Sequence, residues 1–255
     1  MSRAGSDPDP DSGRGRARPP LLAPAAHDST EIPALAALPR YGVAQARGPR
    51  ASQAWWLVSL EDPDGTPLPV PEAFEPAAAL LAPPLALALW VWERARLELG
   101  EAAAVAAGHP LSPLLAWIAV LRGGFPVLQL GGRAGAEHVE VIDPAGPDAA
   151  DRLAGTLAAR PGAALVDPSG RPEVADLLLE AMPRWGRLVL AGRAGAPMTF
   201  DVYRDVHLKG ATVVALRLDP GLLFRPHPGL GRELTRAWRL LAATATRGAV
   251  QRTLE

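Results

Sequence analysis

"AAAVAAGHPLSPLLAWIAVLRGG", residues 102–124, reads as a short apolar strand, a tight turn and a helix. The run of small apolar residues at 102–107 has no polar alternation, the signature of a strand covered on both faces. His109, Pro110, Ser112 and Pro113 then make a turn. Leu114, Trp117, Ile118 and Leu121 recur at i, i+3, i+4 and i+7, one apolar helical face. Ser112 suits the N-cap and Pro113 the first helical position, where a missing N–H costs nothing. A buried strand feeding a helix is the opening unit of a parallel sheet.

The same alternation continues downstream. "PVLQL" (126–130), "EHVEVID" (137–143), "AALVD" (163–167), "GRLVLAG" and "ATVVALRL" read as strands. "PDAADRLAGTLAA" carries Leu153 and Leu157 one turn apart, and "PEVADLLLEAM" places Val174, Leu177, Leu178 and Ala181 on one face. "RELTRAWRLLAAT" closes the chain as a helix with Leu234, Trp238 and Leu241 inward. The fold class is α/β: a Rossmann-like, doubly wound, mostly parallel sheet covered on both faces. One link breaks the rhythm. Only "GGRAGA" separates the second strand from "EHVEVID", whereas a parallel crossover takes about a dozen residues. That strand is therefore expected to return antiparallel or to lie outside the sheet.

Upstream, residues 1–50 are rich in Pro, Gly, Arg, Ser and Asp and read as a disordered tail, at least to Pro33. "AWWLVSL" (54–60) reads as a strand, followed by the turn "EDPDGTP". Trp55 and Trp56 are adjacent, so one must point outward; the seven tryptophans otherwise read as core. Two helices follow, separated by Pro83-Pro84, the second ending at Gly100 as a C′ residue. The division expected is a tail at 1–50, a small β-containing segment at 51–83, and an α/β domain at 84–255. The most apolar run, 77–92, is short and proline-broken, a buried helix pair and not a membrane span.

The chain has 255 residues, 48% of them hydrophobic, enough for one large domain. With 26 basic and 27 acidic residues the formal net charge is −1, which offers a nucleic acid nothing. Lys209 is the only lysine, in a composition weighted to Arg, Ala, Gly and Pro. No cysteine is present, so disulfides, thiolate catalysis and Cys-ligated zinc are excluded. The first twenty residues lack an apolar signal-peptide core, and a cytoplasmic location is the expectation.

Three further stretches, in order, carry a family resemblance: "PVPEAFEPAAALLAPPLALALWVWERARLELGE", "AALVDPSGRPEVADLLLEAMPRWGRLVLAG" and "MTFDVYRDVHLKGATVVA", the last containing Lys209 and Gly210. From residue 54 to 243 the chain resembles the medium-chain dehydrogenase/reductase family of alcohol and polyol dehydrogenases, truncated in its N-terminal catalytic, GroES-like domain. The resemblance implies a remnant of an N-terminal β domain at 51–83 and, at 84–255, a Rossmann-like nucleotide-binding domain with NAD(P) as cofactor. It lays Ala107, His109 and Ser112 on the three glycine positions of the pyrophosphate turn. His109 projects where phosphate would rest, and Pro110 and Pro113 offer no N–H. The acid expected after the second strand is absent from "QLGGRAG"; Arg133 there reads either as a 2′-phosphate partner or as a solvated loop arginine. The zinc ligands of the family have no counterpart, and His27 stands alone, so no zinc is expected.

Cofactor contacts, if kept, fall on the turn Ala107, Gly108, His109, Pro110, Leu111 and Ser112, on Asp167, Ser169 and Gly170, and on Gly192 and Arg193. Each has a plain reading beside the functional one. His109 is a cleft ligand or an ordinary turn histidine. Asp167 faces a ligand or bonds its own Ser169–Gly170 turn. Gly192 and Arg193 flank a nicotinamide or form a surface turn. His138, His207 and His227 read as structural, and no residue is assigned catalysis. The resemblance with these losses implies an eroded, non-catalytic paralogue that binds a small-molecule or nucleotide ligand or a partner. The alternatives are a zinc-independent NAD(P)-dependent oxidoreductase for an alcohol or carbonyl, and a subunit of a homo- or hetero-oligomer. Neither nucleic acid nor membrane is expected as a partner.

Overall fold

Small residues set the middle of the molecule. The central strand β5 (Ala103–Ala106) contains three alanines and a valine, all buried, so helices approach it closely from both sides. The computed structural model describes residues 25–45, 55–62, 64–134, 136–158, 162–225, 227 and 229–254. Among these, β6 (Val127–Leu130), β7 (Val139–Ile142), β8 (Ala164–Asp167), β9 (Arg187–Leu190) and β10 (Thr212–Ala215) join β5 in a six-stranded sheet of order β10-β9-β8-β5-β6-β7. Every pairing in it is parallel. Alternate side chains sort to two faces. Ala103, Val105 and Val166 meet α2 (Ala82–Ala95), α3 (Ser112–Leu121), α6 (Leu230–Leu241) and α7 (Thr244–Leu254). Ala104, Ala106 and Leu165 meet α4 (Ala149–Ala158) and α5 (Pro172–Ala181). The chain leaves β5 toward β6 and later returns to its other side with β8, so the topological switch lies between β5 and β8.

Several expectations need correction. "EHVEVID" is parallel: Val127 pairs Val139 and Leu130 pairs Ile142. A four-residue strand is only about 10 Å long, so residues 131–138 can return to its start without a helix. Gly131, Gly132 and His138 take positive φ to make the return (79°, 69° and 69°), and Gln129 Nε2 donates to the carbonyls of Gly131 and Arg133. Pro83-Pro84 do not break the chain between helices. They occupy the first turn of α2, where proline is tolerated, and the break from α1 (Pro76–Ala79) falls at Leu80-Leu81. The boundary drawn at 83/84 therefore lies inside α2. That helix ends at Arg96, left-handed at φ 52°, and not at Gly100. Leu121 is 54% exposed while Leu115 is buried, and a further helix, α7, follows α6. Trp185 is 66% exposed, unlike the core tryptophans.

The tail expectation fails for residues 25–45. β1 (His27–Asp28), β2 (Tyr41–Gln45), β3 (Trp55–Ser59) and β4 (Leu68–Pro69) form a four-stranded antiparallel sheet. Leu35, Tyr41, Val43 and Leu57 are buried in the core that contains α2 and α3. Asp28 caps a short turn, accepting from the Thr30 hydroxyl, pairing with Arg40 at 2.7 Å and accepting from Thr30 N–H at 2.7 Å; these bonds lower its pKa to about 2. Residues 1–24 lie outside the described residues. Trp55 packs on the core and Trp56 is half-buried, its Nε1 enclosed without a partner among the described residues, so neither stands fully outward. The apolar stretch Pro76–Ala95 is long enough to cross a membrane, but 78% of its apolar window is buried inside the fold, which makes it a core helix.

Candidate functional site

The segments after β5, β9 and β10 line one side of a cleft of about 530 Å³. One wall holds His109 from the turn after β5, Arg193 after β9, and Arg217 and Asp219 after β10. The opposite wall holds residues 36–40, just before β2, and Glu61, just after β3. The size suits a small molecule.

The turn after β5 uses its own side chains as partners. Leu111 N–H donates to His109 Nδ1 at 3.1 Å, and His109 N–H donates to Ser112 Oγ at 3.3 Å. Ser112 N–H donates to the His109 carbonyl at 2.9 Å. Leu111, not Ser112, is the N-cap of α3, which places Ser112 and Pro113 in its first turn. Burial lowers the pKa of His109 to about 4, so the ring is neutral at pH 7. The bond accepted at Nδ1 puts the ring proton on Nε2.

The sequence-derived residues do converge. A Cβ on Gly108, whose φ is 103°, would lie 3.3 Å from Ser169 Cβ. A Cβ on Gly170 would lie 2.2 Å from the Arg193 carbonyl oxygen, and one on Gly192 2.2 Å from Gly170 N. The turns after β8 and β9 thus interlock backbone to backbone. Asp167 is fully buried and bonds its own turn: Oδ1 accepts from Ser169 N–H at 2.8 Å and Ser169 Oγ–H at 2.6 Å. Its Oδ2 is enclosed without a hydrogen-bond partner among the described residues. Arg133 donates to the Arg252 carbonyl in α7 at 3.4 Å, tying the turn after β6 to that helix. Lys209 donates to the carbonyls of Leu179 and Glu180, capping the end of α5. His207 stacks on Tyr203, and His227 sets its ring edge-on to Trp90. Among the described residues no group of three or more His, Asp or Glu gathers as metal ligands. Sequence reasoning missed Arg40, Glu61, Arg217 and Asp219, which lie in a segment taken as tail or in turns without a motif.

A dinucleotide fits these residues poorly. The N–H groups of His109, Leu111 and Ser112, which would face a pyrophosphate, are taken, and Pro110 has none. Leu130, Gly131, Gly132 and Arg133 supply no acid for a ribose.

Comparison with solved structures places the fold among dehydrogenases. A candidate zinc-binding dehydrogenase from Clostridium scindens superimposes with TM-score 0.61 at 14% identity, covering 79% of this chain and 69% of its own. A candidate zinc-binding dehydrogenase from Sinorhizobium meliloti, bound to NADP, gives 0.57 at 19%, covering 75% and 54%. A short chain alcohol dehydrogenase from Escherichia coli, complexed with NADH, gives 0.61 at 12%, covering 82% and 73%. No protein-family model and no curated protein matched the sequence. At these identities the likeness shows the fold alone: a parallel, Rossmann-like α/β sheet with a small antiparallel sheet beside it.

Proposed function

We propose that this chain keeps the medium-chain dehydrogenase/reductase fold but has lost the dinucleotide seat, and that it works without catalysis as a cytoplasmic binder of another ligand in the cleft. The observation that carries the reading is the His109 ring, which takes the Leu111 N–H at the first turn of α3. A bound pyrophosphate would need that amide and the space of the ring. The rival reading, a zinc-independent NAD(P)-dependent oxidoreductase, is supported by structural neighbours solved with NADP and NADH. A protein partner or second copy is supported by the outer edge of β10, which pairs with no further strand among the described residues.

Thermal unfolding with 1 mM NADH or NADPH separates the first two readings. A site with a Kd near 10 μM would add about 2.7 kcal/mol at a hundredfold excess, roughly 5–10 °C for a chain of this length. The expected shift is below about 1 °C with either nucleotide. A rise of several degrees would establish the rival.

A further inference from the structure

We infer that the cleft between the two sheets binds a small organic acid, seating its anionic group between the Nε2–H of His109 and the guanidinium of Arg193. The inference rests on the reading that no dinucleotide occupies the turn after β5. His109 donates in one direction only. Its Nδ1 is committed to Leu111 N–H, so its proton sits on Nε2, which has no partner among the described residues and is not sealed from the cleft it lines. The ring is therefore a fixed neutral donor whose Nε2–H has no acceptor among the described residues.

Three arginines against two acids line the cleft. Arg40 is bound to Asp28 at 2.7 Å, and Arg217 to Asp219 at 2.7 Å. The two lining acids are also engaged: Glu61 Oε1 accepts Arg40 N–H at 2.8 Å, and Asp219 Oδ1 accepts Gly221 N–H at 2.8 Å. Arg193 lines the same cleft, is exposed, and makes no ion pair or side-chain hydrogen bond among the described residues. Its carbonyl is fixed against Gly170, so the guanidinium extends from an anchored backbone. A planar carboxylate or a phosphate ester matches a guanidinium fork beside one N–H donor. The cavity, about 530 Å³, accommodates a molecule of several carbons.

Calorimetric titration of the full chain with malonate, malate and phosphoglycolate tests this, with NADH in parallel. The expected result is binding of one or more of the acids with Kd below about 1 mM, a silent NADH titration, and at least a tenfold loss of affinity in Arg193→Gln. Binding of either dicarboxylate assigns the anionic group to a carboxylate, and binding of phosphoglycolate alone assigns it to the phosphate. In ¹⁵N-histidine spectra, the His109 Nε2 signal should carry the proton in the free protein and move on addition of the acid. If no acid binds while NADH stays silent, the organic-acid site is wrong and the reading of the turn stands. If NADH binds, the reading of the turn is wrong. Unchanged affinity in Arg193→Gln, or an unmoved His109 signal, would also overturn the site.

Discussion

His109 does at the residue scale what a backbone glycine would do in a phosphate turn, but in reverse: it consumes an amide instead of freeing one. The bond from Leu111 N–H requires a neutral ring, and burial holds the pKa near 4, below the ordinary value of 6.5. The unfolded chain therefore takes up a proton at higher pH than the folded chain. Stability from this residue is complete above about pH 6.5 and is lost as pH falls through 4. A shift of this size corresponds to about 3 kcal/mol across the window. Asn supplies an acceptor to the same amide two residues on, as in an Asx turn, and does not titrate there. His109→Asn should therefore match the parent within about 1 kcal/mol at pH 7.5 and lose less stability between pH 6.5 and 4.5. Urea unfolding at several pH values reads the difference. Parallel pH curves would mean the ring is not held neutral by its surroundings.

At the scale of elements, the turns after β8 and β9 behave as one unit because two glycines let their backbones touch. In Gly192→Ala the new Cβ would sit 2.2 Å from Gly170 N and 2.6 Å from the Pro168 carbonyl oxygen, both backbone atoms that cannot swing aside. The cost should be about 3 kcal/mol, or roughly 6–12 °C in Tm. Gly195→Ala, with nothing within 4 Å of the added atom, serves as the control and should stay within about 0.5 kcal/mol. Equal Tm values for the two variants would show that the turns do not interlock. These turns were visible in the sequence, as were β5, α3 and α5, because their apolar periods and Gly or Pro boundaries are local signals. The parallel course of β7 has no local signal: the six residues of "GGRAGA" fall short of a full crossover, and only the shortness of the strand removes that need. Residues 25–45 escaped for a different reason. Their contribution is a few buried side chains, Leu35, Tyr41 and Val43, inside a polar and proline-rich context that has no period. The cleft wall of Arg40 and Glu61 was hidden with them, since only tertiary packing brings it opposite Arg193.

For the whole molecule, the question is whether the small antiparallel sheet is a separate folding unit or belongs to one core. Tyr41 gives the first answer. Its ring is fully buried, and its hydroxyl donates to the Leu80 carbonyl at 2.8 Å, at the junction between α1 and α2. Leu57 on β3 is buried in the same cluster as Leu85, Trp92 and Val105. Trp92 Nε1 in turn donates to the Leu115 carbonyl at 2.8 Å, joining α2 to α3 beneath the parallel sheet. Apolar contact thus runs without interruption from β2 and β3 through α2 to β5. A four-stranded sheet of short strands has little independent stability, so it should melt with the rest. Tyr41→Phe removes one buried hydrogen bond, at a cost of about 1–2 kcal/mol, and Leu57→Ala leaves a cavity worth about 2–5 kcal/mol. Both should lower one shared transition. Tryptophan fluorescence, which samples Trp55 and Trp56 in the small sheet together with Trp92 and Trp117 beside the large one, should coincide with far-UV circular dichroism through that transition. A Leu57→Ala protein that unfolds in two steps, the first confined to fluorescence, would separate the sheets and remove the rigid second wall that the cleft requires.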